Sequence, residues 1–514
     1  MAGKYRIATL GCKVNQYESQ LLRELLESLG WQAAQANERH DIALVNTCAV
    51  TAAAARKNRQ AIRRASHGGR TPVIVVGCGA SASADRLRAI DGVTAVVGHD
   101  EDVGGALRAI LRERAPFADD PGPVTFQPRR SGRRYFNADE GWMNPLTDAP
   151  PGASSARSTP ESSLPIIPPS PGGVKLGRDL VARIDSFAGH QRAFLKVQDG
   201  CDAFCTYCII PQLRSTLRSK PIGVATTEAA ALVKNGHREI ILTGIFLGAY
   251  ARETAIRKRF RSGGSPLADL VRSIAQVEGL ARLRLSSLEP GDVDDELLDT
   301  LAANPVCVPH LHLPLQSGSP AILRRMNRQY TRDDFLDMVE RTRAALDRPV
   351  ISTDVIVGFP GETDEDFEAS LAIVRRAGFI KVHAFPFSPR DKTAAARWSE
   401  EFVPPPLVRE RMQRLAEAER AASLATRRNL IGLTERVIVE ACDHQPASHA
   451  APSFLVSGRA DRYFEIHVES NRKIERGALI PARIDRATPT RTHGTIVTDA
   501  RQAVEESTAR ASRP

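Results

Sequence analysis

No stretch of this chain comes near the roughly 18 consecutive apolar residues that a bilayer-spanning helix needs. Its first residues, MAGKYRIATLGCKVNQ, put charge and polarity where a secretory signal would carry an apolar segment. Both absences argue against a membrane and against export, so a cytoplasmic location is expected. Cysteines number only eight in 514 residues. In a reducing compartment they are not expected to pair as disulfides, and metal binding or catalysis becomes the better reading. What the chain has in excess is positive charge, a formal +10 with a pI near 9.4. That balance favours a polyanionic partner such as nucleic acid, whose phosphates release counterions when neutralised. An apolar fraction of 42% beside 25% charged residues is that of a globular protein, and the length calls for two or three domains.

Residues 1–115 alternate short apolar strands (5–10, 42–46, 73–77, 93–98) with helical stretches. Between the first two strands Leu21, Leu22, Leu25, Leu26 and Leu29 recur at helical spacing and Gly30 supplies the stop. This predicts a small parallel α/β domain. Residues 116–178, which include APPGASSARSTPESSLPIIPPSPGG, cannot build a packed core and read as a disordered linker. Over 187–430 the alternation resumes, with strands expected at 193–197, 239–243, 282–286, 310–314, 352–357 and 381–385. Within it Thr363 and Asp366 form a capping pair before a helix that Gly378 ends. Six such units predict a partial (β/α)6 barrel rather than a closed eight-fold one. Residues 432–498 carry short strands at 437–440, 454–456, 464–468 and 480–484, which suggests a small OB-like β-barrel. Residues 499–514 read as a frayed tail.

The segment LKVQDGCDAFCTYCIIP places Cys201, Cys205 and Cys208 directly after a strand. An iron–sulfur cube takes one thiolate per iron, so three close cysteines without a local fourth leave one iron open. S-adenosylmethionine can chelate that iron and be reduced to a radical, chemistry that belongs to the cofactor. The alternative is structural zinc, which usually takes four ligands in two paired sets. Tyr207 suits packing on the adenine, and ordinary core packing equally. Four strand ends close on polar or glycine residues: ILTGIFLG with Thr243 and Gly244, LSSLEP with Ser287 and Glu289, LPLQSGS with Gln316, and VIVGFPGET with Val357. Strand ends of this kind line ligand sites in α/β barrels, though each alone is also plain turn chemistry.

Cys12, Cys48 and Cys78 each end a predicted parallel strand, in ATLGC, LVNTC and VVGC. Parallel strand ends converge on one sheet edge, so the three thiols can hold a second cluster; the alternative is three small buried hydrophobes. Cys307 and Cys442 lack such placement and read as bystanders.

Together, TLGCKVNQYES, NTCAVT with RKNRQAIRR, LKVQDGCDAFCTYCIIP, LTGIFLGAY, RLSSLEP, LHLPLQSGSPAILRRMNRQYT, DVIVGFPGETDEDF and HAFPFSPRDKT resemble the radical-SAM methylthiotransferase family over nearly the whole chain. GCKVNQYES points to the branch acting on N6-threonylcarbamoyladenosine in tRNA. The isopentenyladenosine branch tends towards GCxMNxxDS and the ribosomal-protein branch towards a GCPKN-like start. The resemblance implies two [4Fe–4S] clusters, one on Cys201, Cys205 and Cys208 and an auxiliary one on Cys12, Cys48 and Cys78. It also implies S-adenosyl-L-methionine as methyl donor and radical source, and a TRAM-like RNA-binding module at the C-terminus. The implied reaction is conversion of position 37 of tRNA to its 2-methylthio derivative, with the anticodon arm as substrate and an electron donor such as flavodoxin or ferredoxin. The rival readings are methylthiolation of isopentenyladenosine tRNA or of a ribosomal-protein aspartate, and a non-catalytic RNA-binding iron–sulfur protein. This sequence departs from the family pattern at Phe246 (usually His), Ser215 (usually Gly) and Gly79 (commonly aromatic), while Arg214 and Arg218 remain. For RNA contact, Arg56, Lys57, Arg59, Arg63 and Arg64 form a dense run on one expected helix, and Arg459 and Arg462 flank Tyr463 in the β-region.

Overall fold

A computed structural model describes residues 3–35, 38–112, 180, 182–187, 190–259, 264–445 and 453–497. The expected linker and tail lie outside these residues. Strands β1 (Lys4–Thr9), β2 (Gln32–Ala33), β3 (Ile42–Thr47), β4 (Val73–Gly77) and β5 (Val93–Val96) form a parallel sheet in the order β2-β1-β3-β4-β5. Every residue of β3 and β4 is buried, as a parallel sheet covered on both faces requires. The sequence predicts four of these strands. The fifth, β2, is a two-residue edge with both side chains exposed, too short to show alternation. Helix α1 (Lys13–Ser28) buries Val14, Tyr17, Leu21, Leu22, Leu25 and Leu26 on one face, and Gly30 (φ +80°) takes the left-handed position just past its end. Helix α2 (Ala52–Ser66) starts at Thr51, whose hydroxyl accepts from the Ala54 N–H at 3.0 Å.

In the central region β6 (Arg192–Lys196) is followed by the short antiparallel pair β7 (Gln198–Asp199) and β8 (Arg218–Ser219), then by β9 (Glu239–Thr243), β10 (Arg282–Leu285), β11 (His310–His312), β12 (Val350–Val357) and β13 (Lys381–Pro386). Two parallel sheets, β6-β9-β10 and β11-β12-β13, meet through a parallel bridge between Ser287 and His312. Six parallel strands thus follow one another in chain order as an open barrel, the expected architecture. Helix Asp364–Ala377 on its outside carries a Thr363–Asp366 capping box and ends at Gly378, φ +56°.

Helix Pro405–Arg428 leads into β14 (Thr434–Gln445), β15 (Ser453–Ala460), β16 (Glu465–Ser470), β17 (Leu479–Ala487) and β18 (Thr492–Ile496), a closed barrel in the order β14-β15-β16-β18-β17. The fifth strand, THGTI, carries too little apolar alternation to be read from sequence.

Two buried ionic clusters fix the domains to each other. Glu18 of α1 and Asp199 of β7 share Lys196 (2.8 and 2.6 Å) and Arg214 (2.9 Å each). Glu239 of β9 pairs with Arg282 and Arg284 of β10. Those guanidinium groups also donate to the backbone carbonyls of Arg436, Arg459 and Asp461 in the C-terminal barrel.

Candidate active site

Both cysteine sets stand where strands end. Cys12 precedes α1 after β1, Cys48 follows β3, and Cys78 opens a short helix after β4. Asparagines hold their loops: Asn15 donates to the carbonyls of Leu10 (2.8 Å) and Thr47 (3.0 Å), and Asn58 donates to the Cys48 carbonyl (2.7 Å). Gly11 sits at φ +108°, and a Cβ there would meet Cys48 at 2.8 Å, so glycine is required for the two cysteines to approach. The departure at Gly79 has a similar cause. A Cβ there would lie 2.7–2.8 Å from Thr47 and Asn58, leaving no room for the aromatic common in the family.

Cys201, Cys205 and Cys208 occupy the loop between β7 and β8. Gln198 pins that loop, donating to the carbonyls of Asp199 (2.9 Å) and Gly200 (2.8 Å) while accepting from the Phe246 N–H (2.7 Å). Phe246 therefore takes part through its backbone, and its side chain packs against the small apolar cluster that contains Cys201. Ser215 is exposed and has no positive φ, so it sits in place of glycine without strain.

A cavity of about 310 Å³ is lined by Cys201, Cys205 and Cys208 together with Cys12 of the other set. Tyr207, Gly244, Phe246, Ser287, Glu289, Gln316 and Arg328 complete much of its wall. Of the residues picked from strand ends, Gly244, Ser287, Glu289 and Gln316 meet here. Thr243 lines the adjoining bore of the barrel instead, and Val357 lies buried in β12 on neither wall. Arg328, inside the LRRMNRQY stretch, carries no signal of its own in the sequence. It donates to Cys205 Sγ at 3.0 Å, reaches the Tyr207 hydroxyl at 3.3 Å and pairs with Glu289. Arg214 does the same for the other set, donating to Cys78 Sγ at 3.1 Å. Each set thus has one arginine on one sulfur, a contact that stabilises a thiolate.

Burial pushes the thiols of Cys78 and Cys208 up to about 12 and raises those of Cys48, Cys201 and Cys205 as well. Such thiols keep their protons until a metal displaces them. Among the described residues, the one three-ligand set drawn within 4.8 Å is Glu18, His99 and Asp199, already neutralised by Lys196 and Arg214. Among the described residues, neither cysteine triad has its three sulfurs within 4.8 Å of one another. That spacing fits a multi-iron cluster better than zinc. Cys12 is the fourth thiol on this wall, brought there from the other triad. Cys307 and Cys442 line neither cavity.

Three apolar side chains stand exposed near these openings: Val50 (49%), Phe204 (47%) and Phe385 (44%). All five basic residues of α2 (Arg56, Lys57, Arg59, Arg63 and Arg64) are exposed. Arg462 is placed differently. It is buried against Glu435, with its guanidinium on the Arg348 and Asp347 carbonyls, and ties the C-terminal barrel to the central domain. Arg459 pairs with Glu440 at 3.4 Å and lines a surface cavity of about 340 Å³ with Arg427 and Arg491.

Residues 195–374 match the Radical SAM superfamily, and residues 4–98 match the family described as Uncharacterized protein family UPF0004. Threonylcarbamoyladenosine tRNA methylthiotransferase MtaB of Chlamydia pneumoniae is 34% identical over 88% of this chain and 90% of its own length. The protein of that name from Thermotoga maritima is 34% identical over 85% and 86%. A tRNA-2-methylthio-N(6)-dimethylallyladenosine synthase of Parafrankia sp. is also 34% identical, over 85% and 78%. Among solved structures, the radical S-adenosylmethionine methyltransferase TsrM of Kitasatospora setae, with cobalamin and a [4Fe-4S] cluster bound, covers 77% of each chain at 15% identity and TM-score 0.49. No helix among the described residues is long and apolar enough to cross a membrane. With its radical-SAM domain, its UPF0004 domain and relatives matched over most of their length, the chain belongs to the radical-SAM tRNA methylthiotransferase family.

Proposed function

We propose that this protein converts N6-threonylcarbamoyladenosine beside the tRNA anticodon to its 2-methylthio derivative, using two [4Fe–4S] clusters and S-adenosyl-L-methionine. The observation that supports this most is the single cavity reached by Cys12 of one triad and by all three cysteines of the other. Sulfur insertion needs a radical generator and a sulfur donor at one purine carbon, which is a problem of positioning. Cys201, Cys205 and Cys208 would hold the cluster that takes S-adenosylmethionine, and Cys12, Cys48 and Cys78 the auxiliary cluster. Bound there, these groups supply the 5′-deoxyadenosyl radical and the methylated sulfur.

The chain's own residues orient and shield. Arg328 donates to Cys205 Sγ and holds Glu289 by its carboxylate, leaving that strand end fixed beside the cavity. Ser287, Gln316 and Gly244 offer hydrogen-bonding groups and backbone access on the same wall. Tyr207, edge-on to Phe359 at 6.4 Å between ring centroids, gives that wall an aromatic face. The exposed basic face of α2 follows Cys48 directly and suits the phosphates of the anticodon arm. Phe204 and Phe385 suit stacking by unpaired bases at the rim. The protein is read as a cytoplasmic one served by a small electron carrier such as flavodoxin or ferredoxin.

Mass spectrometry of tRNA nucleosides from a strain lacking the gene tests the assignment. Loss of 2-methylthio-N6-threonylcarbamoyladenosine is expected. Its persistence, with loss of the isopentenyl analogue, would move the protein to the other branch.

A further inference from the structure

We infer that the bore of the open barrel is a carboxylate-binding subsite, in which Lys13 and Arg284 receive the acidic end of the purine's N6 substituent. The inference rests on the threonylcarbamoyladenosine reading above and names what in this chain would enforce it.

The bore encloses about 470 Å³, and period-2 alternation builds its wall. Each of the six strands turns two alternate residues inward: Arg192 and Phe194, Ile241 and Thr243, Arg284 and Ser286, His310 and His312, Ser352 and Asp354, His383 and Phe385. Barrels of this kind usually fill such positions with branched apolar side chains. Here most are polar, and Arg192, Arg284 and, at the mouth, Lys13 are basic.

Their partners are unequal. Arg192 is paired with Glu440 at 3.1 Å. Arg284 is buried and gives one face to Glu239, but one of its terminal nitrogens has no hydrogen-bond partner. Lys13, half-buried, makes no ion pair or hydrogen bond through its side chain among the described residues. Asp354 is the one carboxylate on the wall, and His312 already contacts it at 3.3 Å. A buried guanidinium nitrogen without an acceptor is a costly arrangement unless a ligand completes it. At the far end the Tyr463 ring stacks on His310 at 4.5 Å and lies 5.3 Å from the Arg284 guanidinium, closing the bore with a residue of the C-terminal barrel.

The bore and the cluster cavity share Cys12, Gly244 and Ser287 as common wall. In adenine, C2 and the N6-bearing carbon flank the same ring nitrogen. A purine with C2 at the cluster cavity therefore directs its N6 substituent through that shared opening. A threonylcarbamoyl group ends in a carboxylate that can meet Lys13 and the Arg284 guanidinium where it lines the bore. A dimethylallyl group would leave both cations desolvated and unpaired. Similarity alone does not make this distinction, because relatives named for each substrate are equally 34% identical. A backbone phosphate offers the same anionic chemistry, so the test separates the two sources.

Reconstituted full-length protein is given anticodon stem-loops carrying N6-threonylcarbamoyladenosine either as the free acid or as its methyl ester. For the wild type kcat/KM is expected to be roughly 10–100-fold higher for the acid, the worth of one charge-assisted hydrogen bond. In Lys13→Met and Arg284→Gln the acid-to-ester ratio should fall towards one. General damage to folding or to a cluster would lower both substrates together and leave the ratio intact. Equal turnover of acid and ester by the wild type overturns the subsite alone. So does a ratio unchanged in both variants, the outcome expected if the cations bind a backbone phosphate. Conversion of a dimethylallyladenosine stem-loop with neither threonylcarbamoyl RNA modified overturns the substrate reading and the subsite with it.

Discussion

Replacing Arg214 by Met should undock the N-terminal domain and loosen the auxiliary cysteine triad at the same time. The Arg214 side chain is fully buried and contacts Glu18 at 2.9 Å, Asp199 at 2.9 Å and Cys78 Sγ at 3.1 Å. Without it, two buried carboxylates share Lys196 as their one permanent cation, with His99 3.3 Å from Asp199. Removing one partner from a buried ion cluster costs about 3–5 kcal/mol, because the charges left behind stay desolvated. Glu18 lies on α1 whereas Asp199 and Lys196 belong to the central region, so the loss falls on the docking of one domain on the other.

The pH dependence gives a second, opposite-signed readout. Burial alone would raise Asp199 and Glu18, but Arg214 and then Lys196 hold both below the usual carboxylate range. In the wild type their contribution is therefore complete above the unfolded carboxylate value and is lost only as pH falls below it. In the variant burial is opposed less, the folded values rise, and docking should strengthen as pH is lowered from 7 towards about 5. Hydrogen exchange over residues 13–28 and 192–199 reads this directly. Amides there should exchange at least about 100-fold faster at pH 7, the lower bound set by 3 kcal/mol. Iron bound by the auxiliary triad should fall in parallel. Less than about a tenfold change, or a change of the same size with Arg56→Gln on the exposed face of α2, would refute the reasoning.

Glu239→Gln should weaken seating of the C-terminal barrel by a few kcal/mol, visible as earlier melting or proteolysis after residue 430. In the wild type burial opposes ionisation of Glu239, but Arg284 and Arg282 hold it down to about 2. Its contribution is thus full above about pH 4.5 and fades as pH falls towards 2, and wild type should lose barrel docking in that window; docking unaffected by either change contradicts the role. Neutralising Arg56, Lys57 and Arg59 together should weaken tRNA binding and flatten its salt dependence by up to about three phosphate contacts; an unchanged salt slope removes α2 from the interface. In metal-free protein at pH 8, iodoacetamide should label exposed Cys12 well before Cys78 and Cys208, whose thiols burial pushes up to about 12. Equal labelling rates would show those thiols to be more open than the fold implies.

Much of this architecture was legible because the relevant signals are local. Apolar runs such as IALVN and VIVVG declare parallel strands, and the Thr363–Asp366 pair marks a helix start that the structure reproduces. The placement of Cys12, Cys48 and Cys78 at strand ends followed from the same strands, since parallel order brings those ends to one edge. What escaped were features decided by contacts far apart in the chain. Strand β2 is fixed by pairing with β1 alone, and β18 by closure of a barrel whose first strand begins 58 residues earlier. Arg462 looked like an RNA ligand because basic residues on β-barrels often are. Only the fold reveals Glu435 waiting beneath it. Arg328 and Lys13 stood inside the motifs that identify the family, but their partners, a cysteine sulfur and an open bore, are visible only once six strands are set side by side.

Anaerobic reconstitution followed by a single-turnover assay shows most directly whether two clusters serve one purine. The protein should bind about eight irons per chain, two cubes of four. With reductant and S-adenosylmethionine it should replace one hydrogen of N6-threonylcarbamoyladenosine in an anticodon stem-loop by a methylthio group, and Cys78→Ala should abolish the product while cleavage of S-adenosylmethionine continues. About four irons per chain, or a product that forms undiminished without Cys78, would contradict the two-cluster reading.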